Sequence, residues 1–149
     1  MAVIDIARRN VVTQEPDASV ADVVRTMHSE TVSSVVVVED GRPLGLVSDR
    51  DLAMAVLDEA FDAEHTPIRE FLTGDVVTID ADEGVYDLVE LLSEKGLRRV
   101  PVVEDGALAG IISLSDVVVL LGMELQHIAT AIRSSAPAYE QSATDIDFF

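Results

Sequence analysis

The chain has 149 residues, 48% apolar and only 4% aromatic, so its core must be built from Val, Leu, Ile and Ala. Its 28 carboxylates against 10 Lys and Arg give a formal charge of −18, which argues against nucleic acid as a partner, because phosphate binding needs clustered basic residues. Cysteine is absent, excluding disulfides, thiolate catalysis and Cys-ligated zinc together. So much like charge repels itself in dilute buffer, whereas at molar salt the Debye length falls to about 3 Å. The expectation is a salt-rich cytoplasm, as in an extreme halophile, with a merely acidic protein as the alternative. No signal peptide is expected at the start, and Val117–Met123, the longest apolar stretch, reads as a buried helix segment too short to span a membrane.

Residues 11–51 lie over residues 76–116 without a gap, and 16 of the 41 positions are identical. A repeat of this kind predicts two copies of one supersecondary unit, each needing a neighbour to cover its apolar face, with a pseudo-two-fold cleft between them.

In chain order, Val3–Asn10 is a weak counterpart of the turn at Pro67–Gly74 that leads into the second copy. Val11–Thr13 is extended. Val20–Glu30 is helical, with Val20, Val23, Val24 and Met27 on one face, and Ser19 with Asp22 forms a capping box. Ser34–Glu39 is a β-branched strand, Asp40-Gly41 a turn needing positive φ, and Leu44–Ser48 the returning strand. A helix follows over Arg50–Leu57, then a polar connector. The second copy repeats the order: Val76–Ile79, a helix over Val85–Lys95 stopped by Gly96, Arg99–Glu104, the Asp105-Gly106 turn, Leu108–Ser113, and a helix over Ser115–Leu125 that extends toward Arg133. Each unit is β-α-β-β-α, an α/β (α+β) arrangement. The boundaries are 3–57 for the first repeat, 58–66 for the connector, 67–125 for the second repeat, and 126–149 for a helix end and loose tail. The terminal Phe148-Phe149 is read as part of a disordered end, with an anchor for another subunit as the alternative.

Both hairpins close on the same pattern, Gly45-Leu46-Val47-Ser48-Asp49-Arg50-Asp51 and Gly110-Ile111-Ile112-Ser113-Leu114-Ser115-Asp116, which is G-h-h-S-x-x-D with h apolar. With this order of elements, residues 3–125 resemble the CBS-domain family, whose tandem pair is called a Bateman module. The resemblance implies two repeats related by a pseudo-dyad, layers of sheets and helices, and a homodimer in which two modules pair into a flat disc. It also implies a regulatory adenine nucleotide (AMP, ADP or ATP) or S-adenosylmethionine, with NAD and cyclic dinucleotides also found in the family. Carried onto this sequence, Ser48 and Ser113 sit beside helix N-termini that attract phosphate. Asp51 and Asp116 accept ribose hydroxyls, and Gly45 and Gly110 admit close backbone approach. Val11–Thr13 and Val76–Thr78 clasp the adenine. Ser115 adds a hydroxyl where the first copy has Arg50. Arg98 and Arg99 face phosphates, where the first copy has Ser33 and Ser34. Ala7-Arg8-Arg9 departs from the family, and Leu72-Thr73-Gly74 is closer to it. The site carrying Asp116 is therefore expected to bind better, with Arg50 partly rescuing the other.

The residues also admit plainer roles. Asp51 and Asp116 could be helix-capping carboxylates worth about 0.3–1 kcal/mol. Ser48 and Ser113 could be ordinary N-caps, and Arg98 and Arg99 surface charges balancing Glu94. His28, His65 and His127 show no metal-ligand spacing, so no zinc is expected. The function these features favour is a regulatory module that signals ligand occupancy to a partner protein, with Mg²⁺ or K⁺ offsetting repulsion between carboxylates and phosphates. The alternative is a ligand-free dimerisation scaffold. An enzyme is not expected, since no nucleophile–base pair, P-loop or metal cluster is legible. The regulated partner is not legible either.

Overall fold

Two turns frame both repeats. Asp40, Gly41, Asp105 and Gly106 have φ of 52°, 77°, 51° and 79°, the pair of positive angles that lets a two-residue turn follow the twist of its strands. In the computed structural model, which describes residues 1–58 and 60–136, these turns join β2 (Ser34–Glu39) to β3 (Arg42–Ser48) and β5 (Arg99–Glu104) to β6 (Ala107–Ser113). The registers match at the repeat offset: Val35 opposes Val47, Val100 opposes Ile112, and each hairpin is irregular at the same place, Val37/Val38 and Val102/Val103. Short parallel strands β1 (Thr13–Gln14) and β4 (Ile79–Asp80) complete two three-stranded sheets, ordered β1-β2-β3 and β4-β5-β6. The expected extended segments thus join their sheets late. Val11, Val12, Val76, Val77 and Thr78 precede the ladders, although the Val12 carbonyl still accepts from Val36 N at 3.1 Å.

Helices α2 (Val20–Glu30) and α4 (Val85–Lys95) make the parallel crossovers. Ser19 caps α2 by accepting from Asp22 N at 3.1 Å, and Gly96, at φ 65°, ends α4. The connector supplies the remaining caps of α2: Val20 N donates to the Thr66 carbonyl and Ala21 N to the Ala63 carbonyl, both at 2.9 Å. Arg25 bridges Asp22 and Glu64 over this contact, and the nearby Asp62 carboxyl is held below its ordinary range first by its hydrogen bond to His65. These pairs are solvent-exposed and add little stability.

The segment ahead of each repeat packs on the other repeat. Ahead of the first, α1 (Val3–Ile6) buries Val3 completely and donates Val3 N to the Glu83 carbonyl at 2.8 Å. Arg8 then exchanges two 2.9 Å backbone hydrogen bonds with Ile111. Ahead of the second, the 3-10 turn Ile68–Phe71 donates Ile68 N to the Ala18 carbonyl at 2.8 Å. Ile68 is fully buried within the first repeat's core of Val20, Val23, Met27, Val35, Val37, Val47 and Leu52, with Phe61, Phe71 and Leu72 packed around it. Sequence order assigns residues 67–71 to the second repeat; their side chains finish the first.

The chain divides after Leu114 into two units. The first, Met1–Leu114, contains both sheets and α3 (Asp49–Asp58). The described part of the second is essentially the helix α5, which spans Leu114–Ser135 and outruns its expected end. Val117–Met123 is not the buried segment expected: Val117 is buried, but Val118, Val119, Leu121 and Met123 are exposed. By length and composition α5 is also apolar enough to cross a membrane. The uninterrupted apolar run ends at Glu124, but the helix carries few charges along its length and so stays apolar on average. The Phe148-Phe149 end and most of the expected tail lie outside the described residues.

Two stability effects follow. Ile68→Ala removes a side chain from the first repeat's core and is expected to cost about 2–5 kcal/mol in chemical denaturation; an effect under about 0.5 kcal/mol, typical of surface sites, would refute the crossed packing. Glu83 is pushed above its ordinary range by partial desolvation, then by Asp80, Asp87 and Asp82. A raised carboxyl pKa means that its ionised form destabilises the fold near neutral pH and that protonation relieves this as pH falls. Glu83→Gln should therefore raise the melting temperature at pH 7, more in dilute buffer than in molar KCl.

Candidate functional site

The hairpin strand β3 delivers Ser48 to the N-terminus of α3, where Ser48 and Asp51 close on each other. Ser48 N donates to Asp51 Oδ2 at 2.9 Å, and Asp51 N donates to Ser48 Oγ at 3.1 Å. This is a capping box, the plainer role open to both residues, and it is compatible with a ligand nearby. It also locks the Asp51 carboxylate in the first helical turn. Asp49 N donates to the Ser33 carbonyl at 2.9 Å, anchoring the helix start to the strand β2 approach, and Leu114 N repeats the bond to the Arg98 carbonyl at the same distance.

Gly45 and Gly110 each admit a close neighbour. A Cβ placed there would lie 2.7 Å from Leu72 Cδ2, and one at Gly110 would lie 3.1 Å from the Arg8 carbonyl oxygen. Each glycine makes room for the leading segment of the opposite repeat. The chain after Leu72 consequently runs alongside the first repeat's hairpin and helix, and a cleft of about 970 Å³ opens between them.

This cleft brings together Ser48, Arg50 and Asp51 of the first repeat with Val76, Arg98 and Arg99 of the second. Val11, Thr13, Thr78, Ser113, Ser115 and Asp116 do not line it. Thr13 is paired with Val36 in β1, Ser113 ends β6 opposite Arg99, and Ser115 and Asp116 lie in the first turn of α5. Arg98 and Arg99 thus line a cleft that also holds Asp51 of the first repeat, because crossed leading segments build it from both repeats.

Arg99 is half-buried at the start of β5. Its Nη1 donates to Ser34 Oγ at 2.9 Å and Ser33 Oγ at 3.4 Å. Ser34 and Arg99 occupy equivalent positions, 65 apart, so the pseudo-dyad passes between them. Arg98 is exposed. The cleft also has an acidic share that the sequence does not announce. Asp49, Asp58, Glu70 and Asp75 join Asp51, setting five carboxylates against Arg50, Arg98 and Arg99 for a formal −2 (3 − 5). No local pattern marks these four, since they meet only through the packing of residues 70–75 beside α3. Among the described residues, no group of three or more His, Asp or Glu is gathered as a metal site.

Comparison with known proteins adds the ancestry. An uncharacterised protein of Methanopyrus kandleri is 32% identical over 115 residues, 76% of this chain and 59% of that protein. Another, of Methanocaldococcus jannaschii, is 32% identical over 85% of this chain and 45% of its own length, so the chain spans about half the length of these curated relatives. The crystal structure of a CBS-domain containing protein from Agrobacterium tumefaciens shares 35% identity at a TM-score of 0.70, covering 79% of this chain and 97% of that one. Two further structures share the fold: a protein from Pyrobaculum aerophilum complexed with AMP (23% identity, TM-score 0.70, 78% and 89% covered) and a CBS domain pair complexed with 5-methylthioadenosine and S-adenosyl-L-methionine (24%, 0.72, 83% and 98%). The CBS domain profile matches twice, at residues 3–58 and 68–122, in step with the internal repeat. The chain belongs to the CBS-domain family, with two copies of the domain in tandem.

Proposed function

We propose that the inter-repeat cleft binds an adenine nucleotide or related adenosyl ligand and that the chain signals occupancy to a partner protein. The observation that carries this reading is the meeting of a capped, oriented carboxylate, Asp51, with Arg98 and Arg99 in one cleft of ligand size. Asp51 accepts the ribose hydroxyls, the two guanidiniums take a phosphate, and Val76 and Val77 supply apolar contact for the base. The AMP and S-adenosylmethionine complexes of related folds support this ligand class. A ligand touching both repeats favours the arrangement in which both sets of contacts are made, and that differential affinity is the signal. The cleft's excess of carboxylates makes a bound Mg²⁺ or K⁺ the natural companion of a polyphosphate such as ATP, and the charge of −18 fits a salt-rich cytoplasm.

The scaffold reading draws on a separate observation. Leu121, Leu125, Ile128 and Ile132 of α5 are exposed apolar side chains, as are Met54, Val56 and Leu57 of α3. Such surfaces are covered by protein in a stable assembly, and a homodimer joined through these helices is the simplest. Dimerisation and sensing are compatible; the scaffold reading alone leaves the cleft empty.

Titration calorimetry in molar KCl with AMP, ATP and S-adenosylmethionine tests the sensor. Micromolar binding is expected for at least one, weakened about tenfold or more by Arg98→Ala and by Asp51→Ala, as loss of a charge-assisted hydrogen bond requires. No heat from any of the three would overturn it in favour of the scaffold. Sedimentation equilibrium tests the dimer. Twice the 16.0 kDa chain mass is expected, falling to the monomer in Leu125→Glu, and a monomeric parent protein would contradict it.

A further inference from the structure

We infer that Ser34, assisted by Ser33, is a positioning residue that aims Arg99 at an anionic group in the cleft, so that the first repeat sets the preference for phosphorylated over unphosphorylated ligands. The inference rests on the nucleotide reading above and adds to it the ligand's charge class and the residues that select it.

Arg25 is bound to Asp22 and Glu64, and Arg69 to Asp17, so carboxylates cancel their charge. Arg99 is oriented instead by two hydroxyls. Arg9, whose Nη2 donates to the Ile4 carbonyl at 3.5 Å, is also held by a neutral oxygen, but of these four only Arg99 lines the cleft. A serine hydroxyl fixes a guanidinium without neutralising it, which leaves the positive charge available to a ligand. Both bonds use Nη1. A guanidinium has five N–H donors in a planar fork, so Nη2 and Nε retain the paired geometry that suits a phosphate.

Location supports the same conclusion. Ser34 is only 8% exposed, the one buried polar side chain among the described residues. Ser33 and Arg99 both line the cleft, so the tether lies at its wall. The equivalence of positions 34 and 99 explains the asymmetry of the pair. Two arginines meeting across the pseudo-dyad would repel, and two serines are too short to present a charge. One of each gives a single guanidinium, held from across the repeat boundary. A long, flexible arginine loses less freedom on meeting its anion when it is already held.

The test compares AMP with adenosine, the same ligand without its phosphate, by calorimetry in molar KCl. The proteins are the parent, Ser33→Ala/Ser34→Ala, Ser34→Thr and Arg99→Lys. The double variant should lose roughly five- to tenfold in AMP affinity, the equivalent of one hydrogen bond's net contribution. Its adenosine affinity should stay unchanged, so the AMP-to-adenosine ratio falls. Ser34→Thr, which keeps a hydroxyl, should restore the ratio, and Arg99→Lys, which keeps the charge but not the fork, should not. Equal losses for both ligands, or an unchanged ratio, would overturn the inference by reducing Ser34 to a structural role. A parent that binds AMP and adenosine alike defeats this inference and leaves the adenosyl-binding reading standing, whereas a parent that binds neither, nor ATP nor S-adenosylmethionine, defeats both.

Discussion

Neither three-stranded sheet of this chain can finish its own core. Each repeat brings one hairpin, one short parallel strand and one crossover helix, which leaves an apolar opening that the other repeat's leading segment fills. Ile68 closes the first core, and the fully buried Val3 docks on the second. Burial of a side chain of this size stabilises by about 1.5–3 kcal/mol, and backbone hydrogen bonds at Ala18, Glu83 and Ile111 fix the direction of each crossing. The two repeats are therefore interlocked, and separating them exposes both cores.

The cleft is a consequence of that interlock. Because the segment after Leu72 must lie along the first repeat, with Gly45 giving it room, it carries Val76 to the side of Ser48 and Asp51. Arg98 and Arg99 line the same cleft at the start of β5. The capping box then fixes the orientation of Asp51 in that cleft. Pseudo-symmetry is kept in the backbone, as the matched bonds from Asp49 and Leu114 show, and broken in the side chains, as Ser34 and Arg99 show. A symmetric frame with unequal chemistry is what allows one cleft to be electrostatically distinct.

Much of the frame was legible locally. Asp-Gly turns, the Ser19 cap, the Gly96 stop and the 65-residue offset each rest on interactions within a few residues, and each appears in the structure. What was not legible depends on residues far apart in sequence. The meeting of Arg98 and Arg99 with Asp51 in one cleft depends on the crossed leading segments, which no local pattern announces. The acidic wall of Asp49, Asp58, Glu70 and Asp75 has no periodicity to reveal it. The exposure of Val118, Val119, Leu121 and Met123 in α5 was not legible, because an apolar run has the same composition whether it is exposed or inside a core.

The central claim is that Arg98 acts across the repeat boundary, in the cleft of Asp51. A double-mutant cycle on nucleotide affinity tests it most directly, pairing Arg98→Ala with Asp51→Ala and, separately, with Asp116→Ala. The account predicts that the first pair is coupled, with losses that fail to add by at least about 0.5 kcal/mol, and that the second pair adds. Coupling of Arg98 to Asp116, with simple additivity to Asp51, would contradict it.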